Sequence, residues 1–180
     1  MLLRKRWLTI TVALGFLSAC VIALAASTAT TSIAVTASVT QTCGVSLGSA
    51  LAFGAYDPSG TNATAALNGT GSVSVACTKG STSLTIGMSN GGNYSGGSRR
   101  MKGAVNTEYL NYAIYQPPDN TPGTACTFPG TTVWDTTTTL TLATAPSKAA
   151  RTYNVCGTVA AGQDVPADSY SDTVTATINF

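Results

Sequence analysis

Five cysteines, one glutamate, six aspartates and no histidine are what this chain offers to acid–base, nucleophilic or metal chemistry. A hydrolase built on a Ser–His or Cys–His pair needs an imidazole that accepts a proton near neutral pH, and there is none. Glycoside cleavage needs two carboxyl groups facing one bond. Here they would have to come from Glu108 and the Asp residues. Most of the Asp stand in turn contexts: Asp57-Pro58, Asp119-Asn120, and Asp164 and Asp168 around Pro166. No glycine-rich loop opens a helix to cradle phosphate. With no CxxC pair and no His, a zinc site lacks ligands. These absences argue against an enzyme, a metal and a cofactor.

The cysteines fit a different chemistry. Cys43, Cys77, Cys126 and Cys156 follow an export signal, and an even number in an exported chain points to disulfides with three possible connectivities. Proximity in sequence alone pairs Cys43 with Cys77 and Cys126 with Cys156. Each bond closes a loop of about thirty residues, which contributes roughly 3–4 kcal/mol in the chain-entropy view.

The signal is "MLLRKRWLTITVALGFLSACVIALAAS", residues 1–25 with the first residues beyond them. Arg4, Lys5 and Arg6 precede an apolar run to Ala26, and Ala23 and Ala25 supply an A-x-A site with cleavage before Ala26. Leu17-Ser18-Ala19-Cys20 competes as a lipobox that would lipidate Cys20. Val21 to Ala26 stay apolar where a lipoprotein turns polar, so plain secretion is the preferred reading. The net charge of +2 belongs to this leader. The six basic and seven acidic residues after it nearly cancel, which leaves nothing basic enough to hold nucleic acid.

About 155 residues remain, one domain's worth with room for a core. Only 9% of the chain is charged, against a usual value of about 25%. Short runs of period-two alternation recur, separated by Gly, Pro, Asn and Asp, with no sustained helical period. They are "IAVTASVTQ", "VSLGSALAFGAY", "SVSVACT", "LTIGM", "YLNYAIY", "TTVWDTTTTLTLAT", "RTYNVCGTV" and "DTVTATINF". Eight or so short strands indicate an all-β sandwich. "SNGGNYSGGSRRMKG" and "QPPDNTPGTACTFPGT" read as loops, which makes Arg99, Arg100 and Lys102 a solvated cluster. Trp134 reads as core filler rather than a sugar platform.

Taken in order, "CGVSLGSALAFGAYDP", "GSVSVACTKG", "RRMKG", "LNYAIYQ" and "AGQDVPADSYSDTVTATINF" resemble the spore coat protein U domain, which is also the subunit fold of archaic chaperone–usher pili. The resemblance runs from about Thr40 to Phe180. No single motif is diagnostic; the ordered set carries the resemblance. Cys156-Gly157 departs from the family pattern, which has an aromatic before the Gly, and with Cys126 it suggests an added disulfide.

The resemblance implies an immunoglobulin-like β-sandwich that is incomplete, its missing edge strand supplied by donor-strand complementation. Residues 26–39 would be an N-terminal donor extension running into the first strand, and residues 40–180 the domain. Ala29, Thr31, Ile33 and Val35 would face the acceptor. Val174, Ala176, Ile178 and Phe180 on the last strand would line the groove, with the terminal carboxylate at Phe180 free for basic residues of a chaperone. The implied partners are a periplasmic chaperone, an outer-membrane usher and neighbouring pilus subunits, with no small-molecule substrate. The chain would pass through the periplasm to the cell surface as a structural pilus subunit for adhesion or biofilm formation. A secreted coat protein outside any pilus is the alternative, and a carbohydrate-binding sandwich a third reading.

Overall fold

A computed structural model describes residues 26–180. The expected export signal, residues 1–25 with Cys20, lies outside the described residues. The chain divides into two units, Met1–Ala37 and Ser38–Phe180. In the first, residues 26–37 form no helix or strand, and their side chains are exposed. The strand expected over residues 33–41 is therefore absent. Alternation prepares a face, but a strand exists only where its N–H and C=O groups meet those of another strand. This segment has no partner within the described chain. The first strand starts at Cys43.

The second unit is all-β apart from one 3₁₀ turn at Thr61–Ala63. Its strands are β1 (Cys43–Ala52), β2 (Leu67–Cys77), β3 (Thr85–Met88), β4 (Arg99–Gly103), β5 (Tyr109–Tyr115), β6 (Leu140–Thr141), β7 (Arg151–Val159), β8 (Tyr170–Ser171) and β9 (Ala176–Asn179). They make two antiparallel sheets. One has the order β1-β2-β7-β5-β4-β8 and the other β6-β3-β9. The sandwich core lies between them, formed by the inward residues of β2, β3, β5 and β7 such as Val75, Ile86, Ile114 and Val159. Cys43 is bonded to Cys77, its register partner across β1 and β2, and Cys126 to Cys156 of β7.

Trp134 fills this core with no exposed surface, and its indole Nε1 donates to the Ile86 carbonyl at 2.7 Å. It is held by a loop, not by the expected strand. The Asp135 carboxylate accepts from the N–H groups of Thr137 and Thr138 and closes a turn in the middle of the alternating run. Only Leu140–Thr141 pairs as strand.

Arg99 corrects the sequence reading more sharply. It is 5% exposed, at the start of β4, and not part of a solvated loop. Its Nη2 donates to the carbonyls of Met88 (3.2 Å), Ser89 (2.7 Å) and Trp134 (2.8 Å), and its Nε to Ser89 (3.0 Å). Burial lowers the guanidinium pKa, but a group titrating so far above neutrality keeps its charge. Three carbonyls of the loops and strand end opposite are thereby satisfied by one side chain of the larger sheet.

Candidate binding groove

Four strand edges are left without a partner among the described residues: β1 and β8 in the larger sheet, β6 and β9 in the smaller. β1 pairs only with β2, and β9 only with β3. Between β1 and the segment Tyr170–Ala176 runs a groove of about 500 Å³. Its floor is the inner face of the larger sheet: Val73, Tyr112, Ile114 and Val155, with Met101 and Met88 at the sides. Val45, Leu47, Leu51 and Phe53 of β1 and its continuation form one wall. The opposite wall contributes Val174 and Ala176. Asp172 is the one charged residue of the lining.

Local sequence explains the shape. Val45 and Leu47 before the register shifts, and Leu51 and Phe53 after them, line the groove; the shifts fall between Leu47 and Ser49 and between Ser49 and Ala52 and bring the alternation back to the same face. Gly157 of β7 makes room for the crossing. A Cβ there would stand 2.7 Å from Phe53 Cζ and 2.8 Å from both Leu51 Cδ atoms. Phe53 meets the Tyr112 ring edge-on, with centroids 6.0 Å apart. The wall nonetheless leaves apolar surface in water: Leu47 is 74% exposed. A second hollow of about 600 Å³ adjoins the first, sharing Leu51, Phe53, Met101 and Tyr170.

The groove's polar feature sits at Tyr112. Its hydroxyl donates to Asp172 Oδ2 at 2.7 Å. Burial, then the hydrogen bond to Asp172 and its charge, push the phenol pKa upward, so Tyr112 remains a donor at any physiological pH. No nucleophile–base pair accompanies it. What this arrangement can accept is an extended backbone: ladder groups along an open edge, and an apolar floor for every second side chain.

The structure distributes the anticipated site residues unevenly. Val174 and Ala176 line the groove. Ile178 pairs with Ile86 and packs against the core instead, because from Ala176 onward the chain is tied into the ladder with β3. Phe180 lies past the end of β9 and is 54% exposed. The wall is thus Tyr170–Ala176 rather than Val174–Phe180. Ala29, Thr31, Ile33 and Val35 are all exposed. The β1 wall was not anticipated as a site, although the odd-numbered apolar positions of "VSLGSALAF" carried the signal.

An all-β sandwich with an unfilled groove between two free strand edges defines the class of protein, and comparison with known proteins gives the family. Residues 29–177 match the Spore Coat Protein U domain, and the chain belongs to that family. It is 36% identical over 171 residues to Protein U of Myxococcus xanthus, a match covering 86% of this chain and 87% of the relative. Among solved structures it is similar to a chain of the chaperone–tip adhesion subunit pre-assembly complex from the archaic chaperone-usher Csu pili of Acinetobacter baumannii. That match has 19% identity and a TM-score of 0.47, and covers 79% of this chain and 40% of the other.

Proposed function

We propose that this chain is a structural subunit of an extracellular fibre assembled by donor-strand exchange, its groove filled first by a strand of a periplasmic chaperone and then, at an outer-membrane usher, by the N-terminal extension of a neighbouring subunit. The observation that carries the reading is the groove itself. An apolar cleft flanked by unpaired edges of β1 and β9 invites aggregation unless a strand covers it. The chain also carries a segment of the right kind: residues 26–39, without secondary structure, with Ile33 at 82% and Val35 at 91% exposed. Ala29, Thr31, Ile33 and Val35 would lie on the floor, and adhesion or biofilm formation would follow from the fibre.

A second reading is favoured by the family's own description: a secreted spore or cell-surface coat protein, assembled outside any pilus. One comparison separates the two. Residues 40–180 are expressed alone, and again with residues 26–41 appended after Phe180 through a flexible Gly/Ser linker. A fibre subunit is a stable monomer only in the second form. Equal stability and monomeric behaviour of both leaves the coat reading.

A further inference from the structure

An empty apolar groove should shut, since moving its walls together would bury the surface that water now touches. The wall Tyr170–Ala176 is tied down by polar bonds that closure would break. Asp172 Oδ2 accepts from the Tyr112 hydroxyl at 2.7 Å. Its Oδ1 accepts from Gly92 N (2.9 Å), Asn93 N (3.2 Å) and Asn93 Nδ2 (3.1 Å). Gly91 has φ +86°, and its Cα stands where a Cβ would overlap this carboxylate, so the loop closes directly onto it. Three residues on, Thr175 N donates to Ser89 Oγ (2.9 Å) and Ser89 N to the Thr175 carbonyl (2.8 Å). The Ser89 and Met88 carbonyls are in turn held by Arg99 from β4.

We infer that Asp172 and Tyr112, backed by Arg99 through Ser89, form a polar strut that keeps the wall Tyr170–Ala176 standing off β1, so that the groove is open before any strand arrives. Tyr112 and Asp172 are then positioning residues for strand capture. The strut does not depend on the groove's occupant; its effect on affinity rests on the donor-strand reading. Breaking it lowers the fraction of molecules with an open groove, and apparent affinity falls in proportion to that fraction.

The test is Tyr112→Phe in the full chain, which removes the hydroxyl and keeps the ring against Phe53, with Asp172→Ala as a second variant. Amide hydrogen exchange is followed by mass spectrometry, alongside binding of a peptide of residues 26–41. Exchange over residues 170–176 should quicken at least tenfold while β2 and β7 stay as in the wild type. Peptide affinity should fall about tenfold. Unchanged exchange over 170–176, or an increase spread evenly over the core, overturns the strut. If the wild-type chain binds no peptide, the donor-strand reading fails, and the exchange comparison still decides the strut.

Discussion

Replacing Ile33 by Ala tests the proposed function where the numbers are clearest. The substitution removes three carbons from a side chain that is 82% exposed in the free subunit. Burying a CH₂-sized group is worth about 0.8 kcal/mol, so three of them scaled by that exposure give about 2 kcal/mol of lost transfer energy on strand insertion. At 1.4 kcal/mol per decade, binding weakens by about 30-fold. Peptides of residues 26–41, wild type and Ile33→Ala, are titrated calorimetrically onto the full chain. Because the change is in the peptide, the acceptor's own stability cannot produce the effect. Thr36→Ala, on the opposite face of the same alternation, should bind within twofold of wild type. An Ile33→Ala peptide that also binds within twofold, or a Thr36→Ala peptide weakened as much as Ile33→Ala, refutes the assignment of this face to the groove floor.

Further outcomes follow from the same geometry. Trp134→Phe deletes the donor to the Ile86 carbonyl and leaves a small void, which should cost about 2–4 kcal/mol, read as a lower urea midpoint at unchanged m. Joint Cys126→Ala and Cys156→Ala substitution opens a loop with a sequence separation of 30, at a cost of about 3.5 kcal/mol by chain entropy. Strand-peptide affinity should be unchanged, because Cys156 faces away from the groove that its neighbour Val155 lines. Asp57, Asp119, Asp135 and Asp168 are held below the usual carboxylate range, chiefly by the Gly60 N–H, the Thr124 hydroxyl, the Thr138 N–H and the Asn106 N–H respectively. Their folded pKa values are depressed, so their contribution is complete above the unfolded value of about 3.9 and is lost as pH falls through the folded values. Asp135→Asn should accordingly lower the urea midpoint at pH 6, by an amount that shrinks as pH falls below about 3.9; an equal loss at pH 6 and pH 2 refutes the linkage.

The alternating runs that became β2, β5 and β7 were legible because each buries one face, so period two is written into the residue types. Trp134 was legible as core for the same reason: a large apolar surface in a chain with little other use for it. The "TTVWDTTTTLTLAT" run was misleading, since Asp135 finds its own hydrogen bonds in a turn and interrupts a pattern that side-chain polarity alone continues. Arg99 was hidden by its charge. Nothing in "GGSRRMKG" says which of two adjacent arginines turns inward to meet three carbonyls while the other, Arg100, lies over the Tyr109 ring at 4.1 Å. Residues 33–41 show the reverse case, alternation without a strand, because pattern supplies a face but not a partner.

From sequence alone came the class of fold, the pairing of the cysteines and the lack of any histidine, all properties of residue type and near-neighbour order. The tertiary structure decided which strand edges are left open, that the β1 wall crosses over Gly157, and that Tyr170–Ala176 rather than the last residues forms the other side. Those depend on which backbone groups find partners between segments far apart in the chain, and a hydrogen-bond ladder is a relation between two strands that neither strand's residues specify alone.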